Sequence, residues 1–408
     1  MEDFLFNLRF KNHSFPLSIV ILNLFQDLLA IKAINKIASK TYLMKLINTI
    51  LTLPFVVIIL ISCTNNNAQV TIPVTRQDTL IRKIKDTISI TAVGDIMLGS
   101  AFPTKANLPP DDAVNSFQAV DGLLKGDIVF GNLEGCFLNS GHSNKCNGIN
   151  PNNCYAFRMP ERYAGIYKSA GFNVLSIANN HVGDFDTKGR KNTARILDSL
   201  QIHYAGQLNK PFEVFEKDSV KYAFCAFAPN ENTVSINKID SAKALVARLK
   251  QMADIVIVSF HGGGEGARFE HVPRKNEIFY KENRGNVYAF AHAVIDAGAD
   301  VVLGHGPHVT RAVEVYKNKF IAYSLGNFCT YGMFSLKGNN GIAPLLQLKI
   351  NAKGDFLYAD VVSVKQDKIN RLTLDDDHKA FKRIKELTDV DFIGHQLKFA
   401  DNRISLKD

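Results

Sequence analysis

From about Thr87 the chain alternates apolar, β-branched runs with polar segments of helical length. Ile88–Val93, Asp127–Phe130, Val174–Ala178, Ile255–Phe260, Asp300–Leu303 and Phe320–Leu325 read as strands. Ser116–Lys125, Pro160–Ala170, Lys188–Leu200, Ser241–Met252 and Arg284–Ala297 read as amphipathic helices. That alternation predicts an α/β layer architecture. Residues 213–228 interrupt it with two strand-like runs around Lys217-Asp218, a hairpin pattern. Beyond Phe328 a second hairpin is predicted, Leu345–Ile350 and Phe356–Val364 joined through Asn351–Asp355, followed by a helical tail around His378–Leu387. The chain shows no internal repeat and one domain boundary, at a polar tether over residues 63–84.

No charged residue lies between Lys45 and Arg76. Leu46–Ile61 is apolar, broken by Pro54 and preceded by Met44-Lys45; it ends in Ser62-Cys63 before Thr64-Asn65-Asn66-Asn67. A short positive region, an apolar stretch too short to span comfortably and a small residue at the cleavage point describe an export signal. With cysteine at the junction, residues 44–62 resemble a bacterial lipoprotein signal. That resemblance makes Cys63 the lipidated mature N-terminus, and Thr64 after it points to the outer membrane, facing the periplasm. An uncleaved anchor helix is the alternative. Residues 1–43 then read as an upstream extension ahead of a true start at Met44, or as an additional membrane-surface segment. The folded domain is expected over 85–408.

Composition narrows the choice of function. With 408 residues, 46% hydrophobic and 21% charged, the chain is globular rather than disordered. A mean hydropathy of −0.03, with long uncharged runs only in the first part of the chain, excludes a polytopic membrane protein. The net charge of +9 comes without any basic block or interleaved aromatics, so nucleic acid is not an expected partner. Cys136, Cys146 and Cys154 cluster in one polar loop, which in an oxidising compartment favours a disulfide. Spacing favours Cys146–Cys154 and leaves one cysteine over; zinc binding by the cluster is the alternative, although no C-x-x-C occurs.

The chemistry lies where the strands stop. The six strand-like runs deliver, in order, Gly94-Asp95; Gly131-Asn132-Leu133-Glu134; Asn179-Asn180-His181; His261-Gly262-Gly263-Gly264-Glu265; Gly304-His305-Gly306-Pro307-His308; and Gly326-Asn327-Phe328. Carboxyl ends of strands in α/β sheets line a common crevice, so these residues are expected to converge. Imidazoles with carboxylate and amide oxygens suit Zn, Mn or Fe. No G-x-S-x-G elbow supports a serine triad, and no G-x-x-x-x-G-K-[ST] supports a phosphate loop. Singly, each histidine reads best as a core residue; jointly, at equivalent strand ends, they read as ligands.

This order of motifs resembles the CapA-type capsule (poly-γ-glutamate) synthesis proteins, which are related to the calcineurin-like metallophosphoesterases. The resemblance spans roughly residues 87–330. It implies a four-layer α/β/β/α sandwich, to which the chain adds the C-terminal β-hairpin and helical tail. It also implies one or two divalent ions (Mn, Zn or Fe) held by Asp95, Glu134, Asn180, His181, His261, His305 and His308, with Asp184 orienting the ligand loop. The implied activity is metal-dependent, phosphoesterase-type hydrolysis in capsule or envelope-polymer synthesis, with His181 or His308 as proton donor and Glu265 as a further acid/base. Arg268 and His271 lie nearby in sequence as candidates to hold an anionic substrate. The expected partners are an envelope polymer or phosphorylated substrate, a membrane through the lipid anchor, and a capsule synthesis or export complex. Met97 stands where metallophosphoesterases carry the histidine of D-x-H, Gly262 and Gly306 stand where the family has Trp and His, and Asp186 where Gly is common. The competing reading is a non-catalytic, metal-binding assembly or export subunit of an envelope-polymer system.

Overall fold

The structure is a computed structural model describing residues 85–148, 154–366 and 371–407. The expected upstream extension, signal, lipidation site at Cys63 and tether lie outside the described residues. Among the described residues, no helix is long and apolar enough to cross a membrane.

Two sheets face each other. The first holds, in spatial order, β19 (Leu397–Ala400), β20 (Arg403–Leu406), β17 (Phe356–Gln366), β16 (Ile342–Asn351), β1 (Thr87–Met97), β2 (Ile128–Leu133), β5 (Val174–Ser176) and β6 (His203–Ala205). β15 (Asn327–Thr330) runs parallel to the end of β1, and β18 (Leu372–Leu374) pairs with β17. The second sheet reads β13 (Val313–Tyr316), β14 (Lys319–Ala322), β12 (Val301–His305), β9 (Ile255–His261), β8 (Val220–Phe227) and β7 (Phe212–Lys217). Two short pairs, β3 (Cys136–Phe137) with β4 (Arg158–Met159) and β10 (Ile278–Phe279) with β11 (Glu282–Asn283), sit in the loops.

Alternation along the strands builds the layers. Ile88, Ile90 and Ala92 of β1 join Phe130, Phe224, Ile257 and Leu303 in a core between the sheets. On the outer face of the first sheet, Leu175 packs with Tyr167 of α1 (Ala164–Ser169) and Leu197 of α2 (Asp186–Ser199). On the outer face of the second, Val256, Val258 and Phe260 meet Val246 and Leu249 of α3 (Ile239–Lys250) and Phe290 and Val294 of α4 (Val287–Asp296). Each aliphatic Val, Leu or Ile and each Phe among them stabilises the fold by about 1.5–3 kcal/mol on burial. The result is an α/β/β/α sandwich. α5 (Lys379–Asp391) reaches both sheets, placing Ile384 in the inner core and Leu387 in the outer core of the second sheet.

Three expectations change. Ser116–Lys125 forms turns with one 3-10 turn at Gln118–Val120, because Gly122 adopts φ +72° and breaks the helical run. The expected C-terminal hairpin is no appendage: β16 pairs antiparallel with β1 from Thr87 to Ala92 and completes the first sheet. The tail also continues past α5 into a further hairpin, β19–β20.

The chain crosses from the second sheet to the first at Leu325-Gly326-Asn327, and β1 accommodates the crossing only through Gly94. A Cβ there would sit 2.0 Å from the Gly326 carbonyl oxygen and 2.4 Å from that of Leu325, while the Asp95 N–H donates to Gly326 O at 2.8 Å. Gly94→Ala is therefore expected to destabilise the fold by about 3 kcal/mol, the upper range for overpacking, because backbone rather than a movable side chain is in the way. Chemical denaturation checks this; a loss below 0.5 kcal/mol on the order of ordinary surface substitutions would show that the crossing relaxes freely.

Candidate metal centre

Both sheets deliver residues to one end of the sandwich. Asp95 sits at an irregularity of β1, and Glu134 follows β2, its N–H held by Ile96 O. Asn180 and His181 follow β5, His261 ends β9, and His305 ends β12. His308 adopts φ +56° in the turn after β12, which brings its ring back over Asp95.

The distances define a cluster. Nδ1 of His308 lies 2.9 Å from Asp95 Oδ2 and 3.1 Å from Asn327 Oδ1, while Nδ1 of His305 lies 3.3 Å from Asp95 Oδ1. Nε2 of His308 is 3.6 Å from Glu134 Oε1, and Nε2 of His181 is 4.0 Å from the same oxygen. Asp95, Glu134 and His308 each offer a ligand atom within 4.8 Å of the others, a group able to hold a metal ion. The His261 and His308 rings lie 6.3 Å apart.

Several of these buried polar atoms have no hydrogen-bond partner: both Glu134 carboxylate oxygens, Asn180 Oδ1, His261 Nδ1, and His305 Nε2. Orphaned buried acceptors are costly and uncommon in folded proteins. Here they converge, and their chemistry (carboxylate, amide oxygen, imidazole) is that of a divalent-cation site. The residues therefore fit the group implied by the motifs.

Charge is distributed to match. Burial raises the Asp95 carboxyl, but hydrogen bonding from His305 and His308 outweighs it and holds the group well below the usual carboxylate range. Burial, then the charge of Asp95, drive Glu134 well above that range. Burial opposes a charged His308, yet Glu134 and Asp95 together push its imidazole up to about 10. Burial and the Lys145 ammonium bring His181 down to about 4, and burial with Arg284 carries His261 well below its ordinary value. His181 Nδ1 is 2.7 Å from Asp184 Oδ2, so its Nε2 is turned towards Glu134.

The cluster floors a cavity of about 710 Å³ whose lining includes Asn180, His181, His308, Lys145, Arg284 and Phe334. A cavity of similar size, about 740 Å³, lined by Leu98, Pro109, Cys329 and Tyr331 among others, holds none of the strand-end imidazoles or acids. Glu265 lines the first cavity, but its Oε1 is engaged by Arg284 at 3.0 Å. Arg268 and His271 do not line it: Arg268 lies over the Phe269 ring, and His271 pairs with Asp391 of α5 at 2.7 Å. Met97 offers no ligand, being packed in the outer core of the first sheet with its sulfur accepting the Gly99 N–H. Cys146 and Cys154 form a disulfide, and Cys136 is a buried thiol.

Sequence reasoning missed the cations and the braces. Arg284, read as a helix start, lies before α4 with 3% of its side chain exposed and Nη2 3.3 Å from His261 Nε2. Asn132 donates to Asp95 Oδ1 at 2.9 Å and accepts from Asn179, which also pins the His181 turn by accepting its N–H. The only available signal for Asn132 was its place among the strand-end residues; Arg284 had none.

Two facing sheets flanked by helices, with an acid–imidazole cluster at the strand ends, define an α/β/β/α sandwich protein with a candidate metal centre. The chain belongs to the bacterial capsule synthesis protein PGA_cap family, whose model matches residues 89–331. It is 30% identical over 298 residues to the capsule biosynthesis protein CapA of Bacillus anthracis, a match covering 68% of this chain and 66% of the relative. It is 28% identical over 263 residues to the PGA biosynthesis protein CapA of Bacillus subtilis, covering 60% and 63%. The chain thus spans just under two thirds of the length of these curated relatives. Among solved structures it is similar to the NAD nucleotidase of Haemophilus influenzae, with 12% identity and a TM-score of 0.36 over 75% of this chain and 57% of that one.

Proposed function

We propose that this protein is a metal-dependent phosphoester hydrolase serving capsule or envelope-polymer synthesis, exported and tethered to a membrane through Cys63. The observation that carries the reading is the fully buried Glu134 carboxylate, with both oxygens unpartnered, facing Asp95 and His308. Asp95, Glu134, Asn180, His261, His305 and His308 would hold one or two divalent ions. Such ions supply Lewis acidity and an acidified water. His181 keeps its Nδ1 proton on Asp184 and presents an unprotonated Nε2 to the cavity, so Nε2 accepts a proton from water there before donating it to a leaving oxygen. Arg284 faces the same space with its guanidinium fixed by Glu265 and Glu282, and neutralises an anionic substrate. Glu265 acts by holding Arg284. The capsule and PGA context of the relatives' names makes an anionic envelope polymer or its phosphorylated precursor the substrate to examine first.

His181→Ala is expected to lower hydrolysis of a phosphodiester by about 100-fold or more, the usual contribution of a positioned acid, while equilibrium dialysis still finds bound Mn. Unchanged turnover would remove His181 from the mechanism. Met97, which supplies no ligand, favours the second reading, a metal-binding assembly subunit without turnover. Stoichiometric metal with no hydrolysis of phosphomonoesters or phosphodiesters would establish it.

A further inference from the structure

The His181–Asp184 pair is held from one short segment. Ser143 Oγ donates to the Asp184 backbone carbonyl at 2.6 Å, Lys145 Nζ donates to Asp184 Oδ1 at 2.6 Å, and the Phe157 N–H donates to Asp184 Oδ2 at 2.7 Å. The Phe157 ring stacks on the His181 imidazole, with centroids 3.8 Å apart and planes 20° from parallel. The same segment is closed by the Cys146–Cys154 disulfide, with Cα atoms 5.6 Å apart, and Cys154 lines the cavity beside Lys145. The Asp184 side chain is 1% exposed while that of Lys145 is 39% exposed, so the ammonium reaches inward from the cavity rim.

We propose that Lys145 is a positioning residue of this site and that the Cys146–Cys154 disulfide keeps it on Asp184. The proposal rests on the reading of His181 as proton donor. A carboxylate bound through one oxygen only can rotate; with Lys145 on Oδ1 and the Phe157 N–H on Oδ2, Asp184 is fixed in plane and presents Oδ2 to His181 Nδ1. That fixes which ring nitrogen carries the proton and where Nε2 points. Lys145 is adjacent to Cys146, so its backbone is set by the closed loop. A dithiol reductant opens the loop: it gives two electrons and two protons to the S–S bond, Cys146 and Cys154 become thiols, and the reductant becomes its own disulfide. Lys145 then loses its covalent restraint, and the clamp is reduced to Ser143 and Phe157. Site assembly is thereby tied to an oxidising compartment, consistent with export.

The test uses the full chain, Zn-loaded and metal-free, with two readouts. One is kcat and KM for bis(p-nitrophenyl) phosphate; the other is the downfield proton resonance of the His181 Nδ1–H, assigned by its absence in His181→Gln. Lys145→Met and dithiothreitol treatment of the wild type are each expected to lower kcat about 10- to 100-fold, the range for removing a hydrogen-bond partner of a site histidine, with KM little changed. Both should also broaden or erase the resonance, and Lys145→Arg should restore both readouts. Applied together, substitution and reduction should do no more than either alone. If Lys145→Met fails to fold, reduction of the wild type decides by itself. A resonance and kcat that survive substitution or reduction would overturn the proposal. A wild type that turns over no phosphoester would sink the hydrolase reading alone; the resonance in Lys145→Met would still decide whether Lys145 positions His181.

Discussion

A Glu134→Gln protein should be more stable than the wild type in the presence of a chelator and should fail to take up metal. Glu134 is fully buried, neither of its oxygens has a hydrogen-bond partner, and its nearest acid, Asp95, stays ionised. An amide of the same shape removes a charge that the metal-free fold cannot satisfy, which should stabilise that form by about 1–3 kcal/mol. The same exchange removes an anionic ligand, so affinity should fall by more than the roughly 100-fold lost when even an outer partner of a ligand is removed. The pH dependence has a definite sign. Glu134's folded-state pKa lies above its unfolded value, so in that window the folded protein binds the extra proton. Stability of the metal-free wild type therefore falls as pH rises above the ordinary carboxylate range, and the variant should lack this fall. Thermal melts across pH with chelator, paired with calorimetric metal titration, measure both. A variant that is less stable and still binds metal would show that Glu134 is satisfied by a hydrogen-bond donor rather than a cation.

The second large effect concerns a buried ion pair that braces the glycine loop after His261. Arg311 is fully buried and makes two bonds to Glu277, at 3.0 and 2.7 Å, while Glu277 Oε1 also accepts the Gly264 N–H at 3.0 Å. Glu277→Ala strands a guanidinium in the interior and should cost about 3–5 kcal/mol, whereas replacing both partners with apolar residues of similar volume should recover most of it. At about 2–4 °C per kcal/mol for a domain of this size, the single variant should melt roughly 10 °C lower. Because Gly263 and Gly264 continue directly from β9 past His261, the single variant should also bind metal more weakly. Loss of stability without any change in metal affinity would separate the brace from the site.

Much of the architecture was legible because it is written in local periodicity. Runs such as Ile255–Phe260 are apolar but for Ser259, and the observed β9 is buried along its whole length. The 213–228 hairpin was legible from Lys217-Asp218; in the structure Asp218 and Ser219 turn with φ +50° and +62° between β7 and β8. The strand-end residues Asp95, Glu134, His181, His305 and His308 were legible as a set because each follows an apolar run, and the structure links them by contacts of 2.9 to 4.0 Å through Asp95 and Glu134. Arg268 and His271 were placed by proximity in sequence alone, and a loop that bends towards α5 takes His271 to Asp391 instead.

What the sequence by itself determined is the alternation of strands and helices and the ligand-type residues at the strand ends. Tertiary structure alone decided that two sheets rather than one supply the cluster, that β16 completes the first sheet beside β1, and that Arg284, Asn132 and Lys145 lie against it. The physical reason is range. Strand and helix patterns arise from neighbours along the chain, whereas a buried charge is balanced by whichever group the packing brings near. Asp95 meets His308 across 213 positions, and no local pattern records that meeting.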